Sequence, residues 1–248
     1  MPFPPRNISE NLKLDLTKFL KKNDFVELYK SYKWRNDTLQ MGFPGILKLE
    51  VRLIKNDLKK GITLQDVKDV AKWGKLRNMA RIIGNDIVLP PNTLHGDNGM
   101  PSELLRFQST GPLCILKENI PRGIGPTYLT KVIRFGLPQE FGAIDTRCVR
   151  IFGRGDHDTQ QHNWLAIKVI NDGYGWYIPS TQVDWPTGYD TWIDILRFFS
   201  HKLLDNCPHP REFVEVGLRS KGKWTCADIE MALFSFASKH IRSKTHKC

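Results

Sequence analysis

Asp145 is a single acid in an apolar run, F-G-A-I-D-T-R-C-V-R-I-F-G over 141–153. A carboxylate there can cap the helix that carries Val149 and Ile151. It can also stand ionised at a cleft edge beside that helix's N-terminus. From there it can stabilise positive charge developing on a sugar C1′ and orient an attacking water. Upstream, I-P-R-G-I-G-P-T-Y-L (120–129) sets Gly123 and Gly125 around Ile124, with Pro126 next. Glycines allow the positive φ and close approach of a tight hairpin, and a proline at a first helical position forfeits no hydrogen bond. The backbone N–H groups of such a turn, with the helix dipole behind them, can hold a phosphate without reading sequence. Such a turn can equally serve only to join two packed helices. Lys131 follows Thr127 by one helical turn and shares its face, which makes it a candidate nucleophile or a phosphate-binding lysine. Arg122 and Lys131 beside the hairpin, and Arg147 and Arg150 after Asp145, are further candidate phosphate contacts.

These residues need helices to position them. Leu129, Val132, Ile133 and Gly136 fall at helical spacing, and Gly136-Leu137-Pro138 ends that helix. A preceding helix is expected over 113–119. The unit is therefore helix, glycine hairpin, helix, and a turn that delivers Asp145 to the start of another helix. On the N-terminal side, Ser9 can cap a helix carrying Leu12, Leu16, Phe19 and Leu20, and 24–34 makes a second short segment. An amphipathic helix is expected over 46–60, and Thr63 with Asp66 reads as a capping box opening 63–71. Further helices are expected over 76–83 and 102–108, and one after Thr159 with Trp164, Ile167, Val169 and Ile170. Helices over 189–204, 210–218 and 226–241 complete the set. The stretch 84–101, rich in Pro, Asn and Gly, reads as a long loop or lobe crossover. His95 and Asp97 there make a weak ligand signal, and the tail is expected to fray. No convincing alternating strand pattern exists, so the fold class is all-α with nine to eleven helices.

The chain has 248 residues and a formal net charge of +11. That length allows one large domain or two lobes, and the charge suggests a polyanionic partner, most simply nucleic acid. A basic but merely solvated surface explains the charge equally well. Lys72, Lys75, Arg77 and Arg81 cluster around Trp73, either as a nucleic-acid rim with a stacking aromatic or as a solvated face over a core tryptophan. Cys114, Cys148, Cys207, Cys226 and Cys248 are scattered without a C-x-x-C pair, which argues against a structural zinc or cluster and for reduced thiols inside the cell. The N-terminal M-P-F-P-P-R-N lacks the apolar run of a signal peptide, and no apolar stretch is long enough to span a membrane.

Between 116 and 153 the chain resembles the helix-hairpin-helix–glycine/proline–aspartate signature of the DNA glycosylase superfamily. That pattern runs L-P-G-V-G-x-K-x-A, an apolar helix, then an apolar run ending in V-D-T-H with V-x-R beyond. Here it reads P-R-G-I-G-P-T-Y-L, K-V-I-R-F-G and F-G-A-I-D-T-R-C-V-R-I-F-G. The resemblance implies a two-lobed, all-α unit over 1–248 with the motif at the cleft between lobes. It further implies an enzyme that flips a nucleotide from double-stranded DNA and cleaves its N-glycosidic bond. Asp145 matches the essential aspartate, and Gly123, Ile124 and Gly125 match the hairpin. Thr127 stands where bifunctional members carry the lysine that forms a Schiff base, so the resemblance implies monofunctional hydrolysis unless Lys131 takes that role. Arg122 occupies the usual proline slot and Leu129 replaces the usual alanine, departures that leave a non-catalytic DNA-binding relative as the alternative. No iron–sulfur loop is present, and the only cofactor implied is a monovalent cation at the hairpin. The base pocket would be walled by aromatics. Among Trp73, Tyr128, Trp164, Trp176, Trp185, Tyr189 and Trp192, the irregular segment D-W-P-T-G-Y-D favours Trp185 and Tyr189. A monomeric intracellular protein, nucleoid-associated or nuclear, is the expectation that accompanies this reading.

Overall fold

Local capping chemistry sets the first elements. A computed structural model describes residues 1–95, 105 and 109–245, apart from the side chains of 55–60 and 242–245. In it Ser9 accepts from the Leu12 N–H and opens α1 (Glu10–Lys22). Asp24 does the same for α2 (Phe25–Lys30), accepting from Val26 and Glu27. The chain then turns through a hairpin, β1 (Lys33–Trp34) against β2 (Asp37–Thr38). Buried Asp37 does capping work at a distance: α3 (Pro44–Lys60) begins without a side-chain cap on its own N-cap residue. Asp37 accepts from the Gly45 and Ile46 N–H groups at 2.7 and 3.1 Å, and from Trp73 Nε1 at 2.7 Å. The capping box is present in full, with Thr63 and Asp66 satisfying each other's backbone N–H at the start of α4 (Leu64–Trp73).

The hairpin unit follows as α5 (Gly111–Asn119), α6 (Pro126–Gly136) and α7 (Thr146–Phe152), the last capped by Asp145. Two more short strand pairs, like β1–β2, depart from the all-α expectation. β3 (Ile62–Thr63) pairs with β4 (Ile87–Leu89), and β5 (Ile170–Asn171) pairs with β6 (Trp176–Tyr177). Three helices complete the chain: α8 (Thr187–Lys202), α9 (Arg211–Glu215) and α10 (Cys226–Thr245). The described residues thus hold ten helices and six short strands, a helix-dominated fold. None of these helices is long and apolar enough to cross a membrane.

Buried side chains form one contiguous cluster, with α10 packed against α2, α7 and α8. Through its centre runs a chain of buried charge. Glu50 on α3 accepts from Arg134 of α6 at 2.7 Å and from both terminal nitrogens of Arg219 at 2.8 and 3.0 Å. Arg219 Nε reaches Asp228 of α10 at 3.1 Å. Every member of this network is buried.

Two expected helices are absent. The segment 76–83 holds only a short 3-10 turn, Met79–Arg81, because Lys75 takes the left-handed conformation (φ 64°) directly after α4 and restarts the chain in a new direction. The stretch after Thr159 is irregular. Its backbone bonds elsewhere, with the N–H groups of Gln161 and His162 donating to the Ile151 carbonyl and that of Lys168 to the Gln182 side chain. These partners lie outside any helical window. Of the expected long loop 84–101, the part 87–89 is strand; Asp97 and 96–101 lie outside the described residues. So do 102–108 apart from Leu105, and the last residues of the tail.

Candidate functional site

Asp145 is fixed by three elements at once. It ends the loop after α6 and starts α7, where its Oδ1 accepts the Arg147 N–H at 3.1 Å. Its Oδ2 accepts from Lys131 Nζ of α6 at 3.2 Å, in an ion pair largely withdrawn from water. The loop before it is pinned to α6, since the Ile144 N–H donates to the Thr130 hydroxyl. Burial opposes the charge on Asp145. The Lys131 ammonium, the Arg147 N–H and the Arg147 guanidinium outweigh it, so the carboxyl lies below the ordinary carboxylate range. Asp145 is therefore an ionised acid at neutral pH.

This pair opens onto a cavity of about 380 Å³ whose lining includes Trp34, Gly125, Thr127, Tyr128, Arg147 and Trp176. That volume lies in the range of pockets that take small organic molecules, roughly 300 to 1,000 Å³. Lys131 Nζ also sits 5.5 Å from the Trp34 ring centroid and 5.1 Å from that of Tyr128, and the Arg147 guanidinium 5.6 Å from Trp34. The site is thus an acid–amine pair at the foot of an aromatic-walled recess.

The hairpin forms its rim, and its two glycines do different work. Gly123 has φ +87°, and a Cβ there would lie 2.1 Å from the Arg81 carbonyl oxygen. Gly125 has an ordinary negative φ, and a Cβ there would meet nothing within 4 Å. Gly125 leaves bare backbone on the cavity wall, before a helix whose first turn has no side-chain cap. Gly123→Ala is expected to cost roughly 1 to 3 kcal/mol and Gly125→Ala under about 1 kcal/mol. Thermal melting checks this, and equal losses would contradict the assignment.

Below the pair a recess of about 10 Å³ reaches Glu230 of α10 and Arg134. Burial pushes the Glu230 carboxyl up to about 7, against the pull of Arg134 and Lys131, with the Asp145 charge adding to the rise. The folded protein therefore holds this proton more tightly than the unfolded chain does. The stability involved is present below the ordinary value of 4.5 and is lost as pH rises through about 7. Glu230→Gln should consequently gain on the wild type between about pH 5 and pH 8, by up to about 3 kcal/mol. Denaturant unfolding at the two pH values reads the difference; a constant offset would mean that Glu230 is ionised throughout.

The remaining expected site residues separate clearly. Thr127, Tyr128, Gly125, Lys131, Asp145 and Arg147 line one cavity. Arg122 and Ile124 stand in the hairpin next to it, Arg122 exposed and Ile124 half-buried. Arg150 is bound to Asp156 at 2.5 Å and lies over the Trp176 ring, so it braces the wall. Trp185 and Tyr189 do not line the cavity: both are buried core, with the Tyr189 hydroxyl donating to the Gly142 carbonyl. Tyr189 follows the turn of α8 inward, where the apolar face of that helix is covered. Trp73 and Trp192 are likewise bound into the protein by their Nε1 donors, to Asp37 and to the Ala143 carbonyl. Trp34, Tyr177 and Glu230 complete the site without having been singled out in the sequence. Trp34 and Glu230 come from opposite ends of the chain, and nothing local marks them.

Cys114, Cys148, Cys207 and Cys226 are free thiols. Ligand atoms of Cys207, His209 and Asp228 lie within 4.8 Å of one another. Asp228 is already taken up by Arg219 and by the N–H and hydroxyl of Thr225. That cluster acts as a buried hydrogen-bond network. In comparisons with known proteins, no family model, no curated protein and no solved structure matches the chain.

Proposed function

We propose that the protein is a DNA N-glycosylase that removes a modified or mismatched base from a nucleotide turned out of the duplex. The observation that carries the reading is the ionised, buried Asp145 at the foot of a nucleotide-sized cavity rimmed by the glycine hairpin. The net charge of +11 supports a polyanionic substrate. The base enters the aromatic recess, and the neighbouring phosphate is held by the bare backbone at Gly125 and the N-terminus of α6. As the C1′–N bond breaks, its electron pair leaves with the base, and the Asp145 carboxylate stabilises the cation forming at C1′. Water then adds to C1′ and gives up a proton to the departing base or to solvent, leaving an abasic site. Thr127 has no amine to replace that water.

Lys131 gives a second reading, because its Nζ is the amine placed against Asp145. If it attacks C1′ in place of water, having first given up a proton, the base leaves and the C1′–O4′ bond then opens with O4′ taking a proton. The resulting covalent iminium is reduced by borohydride to a stable adduct. Duplexes each bearing a single lesion, incubated with the protein and scored for alkali-labile sites, test the glycosylase reading. Borohydride in the same reactions separates the two chemistries. An adduct that disappears in Lys131→Gln supports the amine; abasic sites without an adduct support water. No base release from any duplex, with duplex binding insensitive to Asp145→Asn, would leave a non-catalytic DNA-binding protein.

A further inference from the structure

A second groove, of about 530 Å³, continues from the cavity, and the two share Leu76, Tyr128, Trp176 and Tyr177 as walls. One side carries Lys75, Arg77 and Arg81, all exposed and in no ion pair among the described residues. The other side is the β5–β6 hairpin. Its turn is built by its own side chains. Asn171 accepts from the Gly173 N–H, and Asp172 accepts from the N–H groups of Tyr174 and Gly175. The acid on this wall, Asp172, orders the turn and keeps its single negative charge, against the three cations opposite. What the turn presents is Tyr174, 88% exposed, with Tyr177 behind it at 43%. Two aromatic rings left in water opposite three exposed cations form a surface for a polymer with both phosphates and accessible ring faces. Intact duplex offers the phosphates, but its base faces are already stacked and paired. A strand with unpaired bases offers both.

From this we infer that the groove holds single-stranded DNA leading to the Asp145 cavity. The bases stack on Tyr174 and Tyr177, and the phosphates lie along Lys75, Arg77 and Arg81. This rests on the proposed function only for the kind of polymer. It makes the preferred substrate one whose target nucleotide adjoins an unpaired stretch.

Fluorescence polarisation of an end-labelled oligothymidylate of about ten nucleotides, within the span such grooves cover, provides the test. A matched duplex and polyglutamate serve as competitors. Tyr174→Ala, which touches the groove and not the Asp145 cavity, should weaken oligothymidylate binding about tenfold while leaving the salt slope and the melting temperature unchanged. Arg77→Ala/Arg81→Ala should reduce the salt slope by roughly one for each phosphate that is no longer neutralised. Equal affinity of the tyrosine variant and the wild type would overturn the inference. So would competition by polyglutamate as strong as by oligothymidylate, which would mark the groove as a site for acidic protein. Base release measured in parallel keeps the two claims apart. Release without tyrosine-dependent binding removes this inference alone, and tyrosine-dependent binding without release removes the enzymatic one alone.

Discussion

Asp145→Asn is expected to lower base release by about a hundred- to a thousandfold or more while the protein stays folded and DNA-bound. The two halves of this expectation have separate causes. Asparagine is as good an N-cap as aspartate, so α7 keeps the hydrogen bond that the Arg147 N–H donates to the capping side chain. What is lost is the negative charge that would face the developing cation, and the partner of Lys131. The amine can then swing toward the cavity it already borders, which limits the cost of leaving it unpaired. Asp145→Ala removes charge and cap together and should cost about a further 1 kcal/mol of stability. Single-turnover release, beside thermal melting of both variants, reads these effects. An Asn variant that turns over like the wild type would show that Asp145 only caps its helix.

The largest stability effect is expected at Glu50 on α3, which does not line the cavity. This carboxylate compensates two buried guanidinium groups, those of Arg134 and Arg219. Removing Glu50 from this buried ionic network leaves two guanidinium charges with only Asp228 and the more distant Glu230 to balance them, at about 3 to 5 kcal/mol. For a chain of this length that corresponds to a fall in melting temperature on the order of 10 °C. Arg134 also approaches Glu230 at 3.7 Å, so the same network borders the site floor. Glu50→Ala should therefore melt much earlier, whereas Glu10→Ala, in an exposed pair with Lys13, should change stability by less than about 1 kcal/mol. Similar melting of both variants would mean that the buried arginines find other partners.

The parts of this protein that were legible in its sequence are those set by neighbours in the chain. Ser9, Asp24, Thr63 with Asp66, and Asp145 all cap helices within three residues of themselves. The glycine hairpin, α6 and the acid after it share that property, and they hold the centre of the candidate site. Expectation and structure part where distant groups decide. Apolar spacing in 159–170 suggested a helix, but its N–H groups bond to Ile151 and Gln182 across the fold. The spacing over 76–83 was overridden by one left-handed residue, Lys75. Trp185 and Tyr189 were favoured because their segment looked irregular, yet the cavity is walled instead by Trp34 and by Trp176 and Tyr177 of the β5–β6 hairpin. Which aromatic faces the acid depends on how those distant segments pack, and no local spacing encodes it.

The most direct measurement is the identification, by mass, of a free base released by the wild-type protein from a duplex carrying one modified or mismatched nucleotide. The expected result is release of a base from at least one such duplex, with the strand intact until alkali is added and no release by Asp145→Asn. Absence of a free base from every duplex under single-turnover conditions, despite tight binding, would contradict the assignment of Asp145 to bond cleavage.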